Sequence, residues 1–218
     1  MIKAFIFDMD GVIIDSEPIH FDVDIQTMNY LGTNIYKEEL EKYVGMTNPE
    51  MWNLIIHEYS VVQSVSEIID YQLTTKINII KSIDLEPIAG IREILFELKQ
   101  HNIPIGLASS SPRKFIEEVL SKFNITEYFD CIVSGEEVNK GKPAPDVYLE
   151  AANILGVDPK YCYVLEDSKN GVAAAKAAGM KCIGFINQNS GNQDLSKADY
   201  IIKWIKEIDV KEMLNDIT

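Results

Sequence analysis

The stretch AFIFDMDGVIIDS, residues 4–16, constrains the fold of this chain more than any other. It opens on Ala4-Phe5-Ile6-Phe7, an apolar run too short for a helix and flanked by polar residues. Such a run suits a strand buried on both faces, as in parallel sheets covered by helices. The run stops at Asp8-Met9-Asp10-Gly11. In an extended chain, residues i and i+2 point to the same side about 7 Å apart, so Asp8 and Asp10 are expected to present two carboxylates to one pocket. Gly11 supplies a backbone that turns sharply and lets another group approach. Two close like charges repel unless a cation or a shared proton intervenes. Carboxylate oxygens, a turning backbone and a hard divalent ion suit phosphate chemistry. An isolated DxDG reads instead as a solvated acidic turn, so the rest of the chain must decide.

After Ser16 the period changes from strand to helix. Pro18 fits a first turn, Ile19, Val23, Ile25, Met28 and Leu31 make an apolar face, and Gly32 closes it. Residues 37–44 read as a second short helix. Asn48-Pro49-Glu50 marks the start of a third, with Met51, Leu54, Ile55 and Tyr59 at helical spacing. Ser66 or Ser64 caps a fourth, through Ile68, Ile69, Leu73, Ile77 and Ile80. Residues 17–82 are therefore expected to form an all-helical cap domain, inserted into an α/β core of residues 1–16 and 83–218. From Gly90 onward helices alternate with strands at 103–108, 131–134, 161–165, 181–186 and 200–202. The alternation implies a Rossmann-like parallel sheet with right-handed crossovers, in which ligands sit beyond the carboxyl ends of the strands. Asp8 and Asp10, Ser109, Lys142, and Glu166 with Asp167 all fall at such ends. That convergence is what a random acidic turn does not predict.

At 218 residues the chain is long enough for one core with an inserted subdomain. Its net charge of −14 argues against nucleic-acid and anionic-membrane partners. No apolar run approaches the roughly 18–20 residues of a membrane span. A phosphate-binding pocket on so acidic a chain must be made positive locally, by a metal and one or two aimed lysines. The sequence MIKAFIFDMD enters a strand at once, without the look of a signal peptide. Cys131, Cys162 and Cys182 sit in apolar runs without metal-ligand spacing and read as buried free thiols of a reducing compartment. A cytoplasmic monomer is the expectation. His20, His57 and His101 form no cluster.

DMDGVIID, LASSS, GKPAPD and LEDSKNGVAAAKAAGM, in that order, resemble the four motifs of the haloacid dehalogenase superfamily. Within it the chain is similar to the phosphatases and phosphomutases with a helical cap between the first and second motifs, the beta-phosphoglucomutase-like group. The resemblance implies that Asp8 is the nucleophile, carried through an aspartyl-phosphate, and that Asp10 is the general acid and base, its carbonyl also binding Mg²⁺. It implies that Ser109 and the Ser110 backbone N–H bind phosphate, and that Lys142 neutralises charge beside the nucleophile. Asp167, with Glu166 nearby, completes the Mg²⁺ site with Asp8 and Asp10. Lys142→Met is expected to cost activity rather than fold. His20, near the passage from core to cap, is a candidate for gating or substrate contact, and Gly45 to Thr47 for selecting the substrate. Asp15 reads as a hydrogen-bonding linker residue, and the prolines and Asp146 of GKPAPD as loop-shaping. The cap is expected to close over the substrate on hinges near residues 12–17 and 82–87.

The implied activity is hydrolysis of a small phosphorylated metabolite, a sugar phosphate foremost. A mutase must grip a second phosphate with basic side chains. Beta-phosphoglucomutase-type relatives carry Lys just before the cap glycine and Arg three residues after it; here those positions are Val44 and Asn48. Phosphomutase is therefore the alternative. A phospho-accepting signalling module is a third reading, but such modules lack a helical insert and a second acid in a DxDG turn. Metal-free dehalogenation would leave Asp10 and Asp167 idle and ranks last.

Overall fold

The computed structural model describes residues 1–33 and 48–215. The chain divides into two compact units, one of Met1–Ser16 with Leu85–Thr218, the other Glu17–Asp84. The first strand, β1 (Ala4–Phe7), is buried along its whole length.

The second unit contains α1 (Glu17–Tyr30), α2 (Asn48–Tyr59) and α3 (Val65–Ser82). Met28, Met51, Trp52, Ile55 and Ile68 form a core of its own; each such side chain, once buried, contributes about 1.5–3 kcal/mol. Ser64, rather than Ser66, caps α3. Its hydroxyl accepts from the Glu67 N–H at 3.3 Å while the Glu67 carboxylate accepts from the Ser64 N–H at 2.8 Å. The choice follows from the glutamate three residues on, which closes a reciprocal capping box. One expected apolar position shifts. Leu54 is exposed and Trp52 is buried in its stead. Gln72 is buried too, because it carries a polar chain inward: Trp52 Nε1 donates to Gln72 Oε1 at 3.1 Å, and Gln72 Nε2 to Asp24 Oδ1 at 2.5 Å. Burial pushes the Asp24 carboxyl above its ordinary value, against the opposing effect of that hydrogen bond. The expected helix at 37–44, and Gly45 and Thr47, lie outside the described residues.

The first unit continues with α4 (Ile91–Gln100), β2 (Ile105–Ser109), α5 (Arg113–Lys122), β3 (Cys131–Ser134), α6 (Asp146–Leu155), β4 (Cys162–Glu166), α7 (Lys169–Ala177), β5 (Lys181–Phe185), β6 (Tyr200–Ile202) and α8 (Val210–Asn215). Among the described residues six strands make one sheet, all pairs parallel, in the order β3-β2-β1-β4-β5-β6. Ile91, Ile94, Leu95 and Leu98 give α4 its buried stripe. Alanines at 151, 152, 174 and 175 let α6 and α7 lie close against Ala4, Ile6 and Val164. All three cysteines are free and buried, and burial pushes the Cys131 thiol up to about 11 and Cys162 to about 12. Among the described residues no helix is long and apolar enough to cross a membrane.

From β1 the chain builds outward through β2 to β3, then returns to place β4 on the other side of β1 and builds outward again. The order therefore reverses between β1 and β4. In open parallel sheets the crevice beyond the carboxyl ends at such a reversal is where ligands bind.

Candidate active site

Beyond the end of β1, the Asp8 N–H still donates to Leu165 O at 3.0 Å, so Asp8 leaves the sheet in register with β4. The chain then turns: the Val12 and Ile13 N–H groups return to Met9 O at 3.2 and 2.8 Å, and the Gly11 N–H to Ile14 O at 2.8 Å. Gly11 has φ +78°, and a Cβ there would meet Asp167 Oδ2 at 1.9 Å. Only glycine lets the first and last motifs approach this closely.

Asp8 is 6% exposed. Lys142 Nζ, on a side chain 5% exposed, donates to Asp8 Oδ1 at 2.6 Å, to Glu166 Oε1 at 2.7 Å and to Ala108 O at 3.1 Å. All three of its protons are thereby directed. Asp8 Oδ2 takes no hydrogen bond from the described residues. Asp8, Glu166 and Asp167 bring carboxylate oxygens within 4.8 Å of one another. Burial first, then Glu166, Asp167 and Asp10, hold the Asp8 carboxyl well above its ordinary value, with Lys142 opposing. Burial and Glu166 push Asp167 up to about 7, although Ser190 and Lys142 oppose the rise. Lys142 is shifted upward, because Asp8 and Glu166 outweigh the cost of burying its charge.

Glu166 is fully buried at the end of β4. Its Oε1 accepts from Lys142 and from Tyr148 Oη, the latter at 2.7 Å; its Oε2 accepts from the Ser168 N–H and hydroxyl, both at 3.0 Å. Four donors fill its four lone-pair directions. Ser168 Oγ also accepts from the Gly171 N–H at 3.0 Å and so caps α7. A Cβ on Gly171 would fall 1.6 Å from Glu166 Oε1.

The Asp10 carboxylate accepts from Ser16 Oγ at 2.6 Å, from Ser111 Oγ at 2.7 Å and, loosely, from Ser109 Oγ at 3.4 Å. Ser109 Oγ in turn accepts from the Ser111 N–H at 3.0 Å, and Ser134 Oγ donates to Ser111 O at 2.7 Å. Ser110 is exposed beside this turn. Asp15 accepts from Asn189 Nδ2, and Asp146 opens α6. His20 lies on α1 of the helical unit. A groove of about 430 Å³ lined by Tyr163, Tyr200, Glu207 and Met213 includes none of these residues, so side-chain chemistry rather than volume locates the site.

Four partners escaped the sequence reading. Ser111 was legible as the third serine of its run. Tyr148, Ser16 and Ser190 stand in ordinary helix, linker and loop contexts and carried no local signal.

The expectation that Lys142→Met spares the fold has the burial of its ammonium between Asp8 and Glu166 against it. Removing the ammonium leaves two buried carboxylates without their shared cation.

A family model described as haloacid dehalogenase-like hydrolase matches residues 5–185. Hexitol phosphatase B of Escherichia coli strain K12 is 34% identical over 221 aligned positions, covering 98% of this chain and 97% of that protein. Beta-phosphoglucomutase of Bacillus subtilis strain 168 is 34% identical over 226 positions, covering 98% and 94%. In fold, CbbY of Rhodobacter sphaeroides, solved with phosphate, superposes with a TM-score of 0.88 at 24% identity, covering 99% of this chain and 100% of that one. With the acid cluster, its lysine and the glycine contact falling inside the matched span, the chain belongs to the haloacid dehalogenase-like hydrolases.

Proposed function

We propose that the chain is a Mg²⁺-dependent phosphatase of small phosphorylated metabolites, sugar or polyol phosphates foremost, acting through an aspartyl-phosphate on Asp8. The observation that carries this reading is Lys142 bridging Asp8 and Glu166 with Asp167 in the same cluster. The donor set also fits a hard divalent ion. It is all oxygen, and Lys142 is matched by two acids already, which leaves Asp167 in excess. Asp8 and Asp167, with the Asp10 carbonyl, would hold Mg²⁺, which supplies positive charge against the oxygens of the transferring phosphoryl group. Glu166, its lone pairs filled by four donors, fixes Lys142 and would support the ion from outside the set of direct ligands.

Asp8 Oδ2 attacks phosphorus, and the bond from phosphorus to the leaving oxygen breaks. Asp10, protonated, gives that oxygen its proton and becomes a carboxylate held by the Ser16 and Ser111 hydroxyls. It then takes a proton from a water that attacks phosphorus, the bond to Asp8 breaks, and inorganic phosphate leaves. Lys142 offsets charge on Asp8 and on the phosphoryl group throughout. Ser109 and the Ser110 N–H are the proposed donors to the phosphoryl oxygens.

The test is phosphate release from a panel of sugar and polyol phosphates, with MgCl₂ or with EDTA. Release that needs Mg²⁺ and falls by roughly 10⁴-fold in Asp8→Asn is expected. Activity near that of the unaltered enzyme in Asp8→Asn removes the nucleophile assignment. The likeness to a beta-phosphoglucomutase favours one alternative. Conversion of beta-glucose 1-phosphate to glucose 6-phosphate, primed with the bisphosphate and faster than phosphate release, would establish the mutase instead.

A further inference from the structure

The loop that follows β5 reaches three parts of the site with its side chains. Asn187 Nδ2 donates to Gly11 O at 2.9 Å, within the turn that carries Asp10. Asn189 Nδ2 donates to Asp15 Oδ2, and Ser190 Oγ to Asp167 Oδ2. Gln193 fastens the loop to the start of α7: its Oε1 accepts from the Lys169 N–H at 3.1 Å and its Nε2 donates to Ser190 O at 2.9 Å. The loop is braced internally as well, with the Asn189 N–H on Asn187 Oδ1 at 2.9 Å. Ser190 thus stands on a frame fixed at both ends.

Its hydroxyl meets Asp167 where freedom is smallest. A Cβ on Gly11 would lie 1.9 Å from Asp167 Oδ2 and 2.9 Å from Ser190 Oγ, so the carboxylate, the hydroxyl and the glycine backbone close on one point. A carboxylate pressed against backbone on one side and hydrogen-bonded by a fixed hydroxyl has one orientation open to it. Groups that orient a ligand in this way set metal affinity as strongly as some ligands do.

We propose that Ser190 is a positioning residue, whose hydroxyl fixes the rotation of the Asp167 carboxylate for the divalent cation while Asn187 and Asn189 hold the same loop on the DxDG turn. The inference rests on the reading of Asp167 as a metal ligand. It adds to that reading a third chain segment, remote from the four motifs, on which cation affinity depends.

The full chain, stripped with EDTA and dialysed, is titrated with MgCl₂ by calorimetry, and its melting is followed in EDTA. Ser190→Ala is expected to raise the Mg²⁺ dissociation constant by about 10- to 100-fold. Ser190→Ala also leaves the buried Asp167 carboxylate without this donor, so its metal-free melting temperature is expected to fall by about 2–8 °C while the chain still melts cooperatively, and the affinity is read on the folded chain. Ser190→Thr keeps the hydroxyl and is expected to restore affinity, which a role in loop packing alone would not require. Asp167→Asn serves as the reference. If Asp167→Asn loses Mg²⁺ and Ser190→Ala does not, the positioning role is overturned and the metal site stands. If Asp167→Asn binds as tightly as the unaltered chain, the metal reading falls and this inference with it.

Discussion

A lysine whose ammonium lies 2.6 Å from one buried carboxylate and 2.7 Å from another is not removed as a surface charge is. Exposed ion pairs are worth little because water competes for both partners. Here the two acids have no such recourse, and breaking a buried set from one side costs about 3–5 kcal/mol. Lys142→Met is therefore expected to lose both turnover and stability. The stability loss should shrink when Mg²⁺ is present, since a bound cation takes over part of the neutralisation and binding to the folded state adds its own term. Urea melts in EDTA and in saturating MgCl₂ check this. Equal losses in the two buffers would mean that Lys142 and the cation do not share the same charge. The acids and Ser109 are legible because they punctuate the ends of apolar runs, and Lys142 because it sits in the GKPAPD motif. Tyr148 and Ser190 are not, because their partners, Glu166 and Asp167, are joined to them only by the fold.

Elements are held in place by acids as well as by apolar faces, and Asp199 illustrates how. It precedes β6, yet its carboxylate accepts from Lys176 Nζ, in the last turn of α7, at 2.6 and 2.9 Å, and from the Cys182 N–H of β5 at 2.7 Å. Partial burial raises the Asp199 carboxyl, but the Lys176 and Cys182 hydrogen bonds outweigh it and hold the group below its ordinary value of 3.8. A depressed folded-state value means that the stabilisation is present above 3.8 and lost as pH falls through the lowered value. Asp199→Ala strands the buried Cys182 N–H and is expected to cost about 1–3 kcal/mol at neutral pH. The gap from the unaltered chain should narrow below pH 3.8 in urea melts taken across the acid range; an unchanged gap would refute the clamp. Among the described residues the strands were readable to within a residue or two, as at β4, expected over 161–165 and found at Cys162–Glu166. The apolar pattern breaks where a polar chain is buried, as with Trp52, Gln72 and Asp24, because periodicity cannot distinguish a buried glutamine from an exposed one.

At the scale of the molecule, every member of the acid cluster, its lysine and its serines belongs to the α/β unit, and the helical unit has a core built around Trp52. Within the α/β unit, the Ile88 N–H donates to Ile13 O at 2.9 Å, so the segments leading to residues 16 and 85 are tied a few residues before the chain departs and after it returns. Replacing residues 17–84 with a short Gly/Ser linker therefore asks little of the backbone, and loop-closure entropy falls as the loop shortens. The shortened chain is expected to fold and to bind Mg²⁺ with a dissociation constant within about threefold of the full chain, by the near-additivity of independent sites. Trp204, 60% exposed, is its only remaining tryptophan, so its emission should be red-shifted from that of the full chain, which also contains the buried Trp52. Discrimination among sugar phosphates is the property expected to disappear, with slow hydrolysis of a simple aryl phosphate persisting. A shortened chain that melts cooperatively but binds no Mg²⁺ would mean that residues 17–84 supply part of the cation site. One that keeps the full chain's substrate preferences would place the selector in the α/β unit, among the same strand ends that carry the acids.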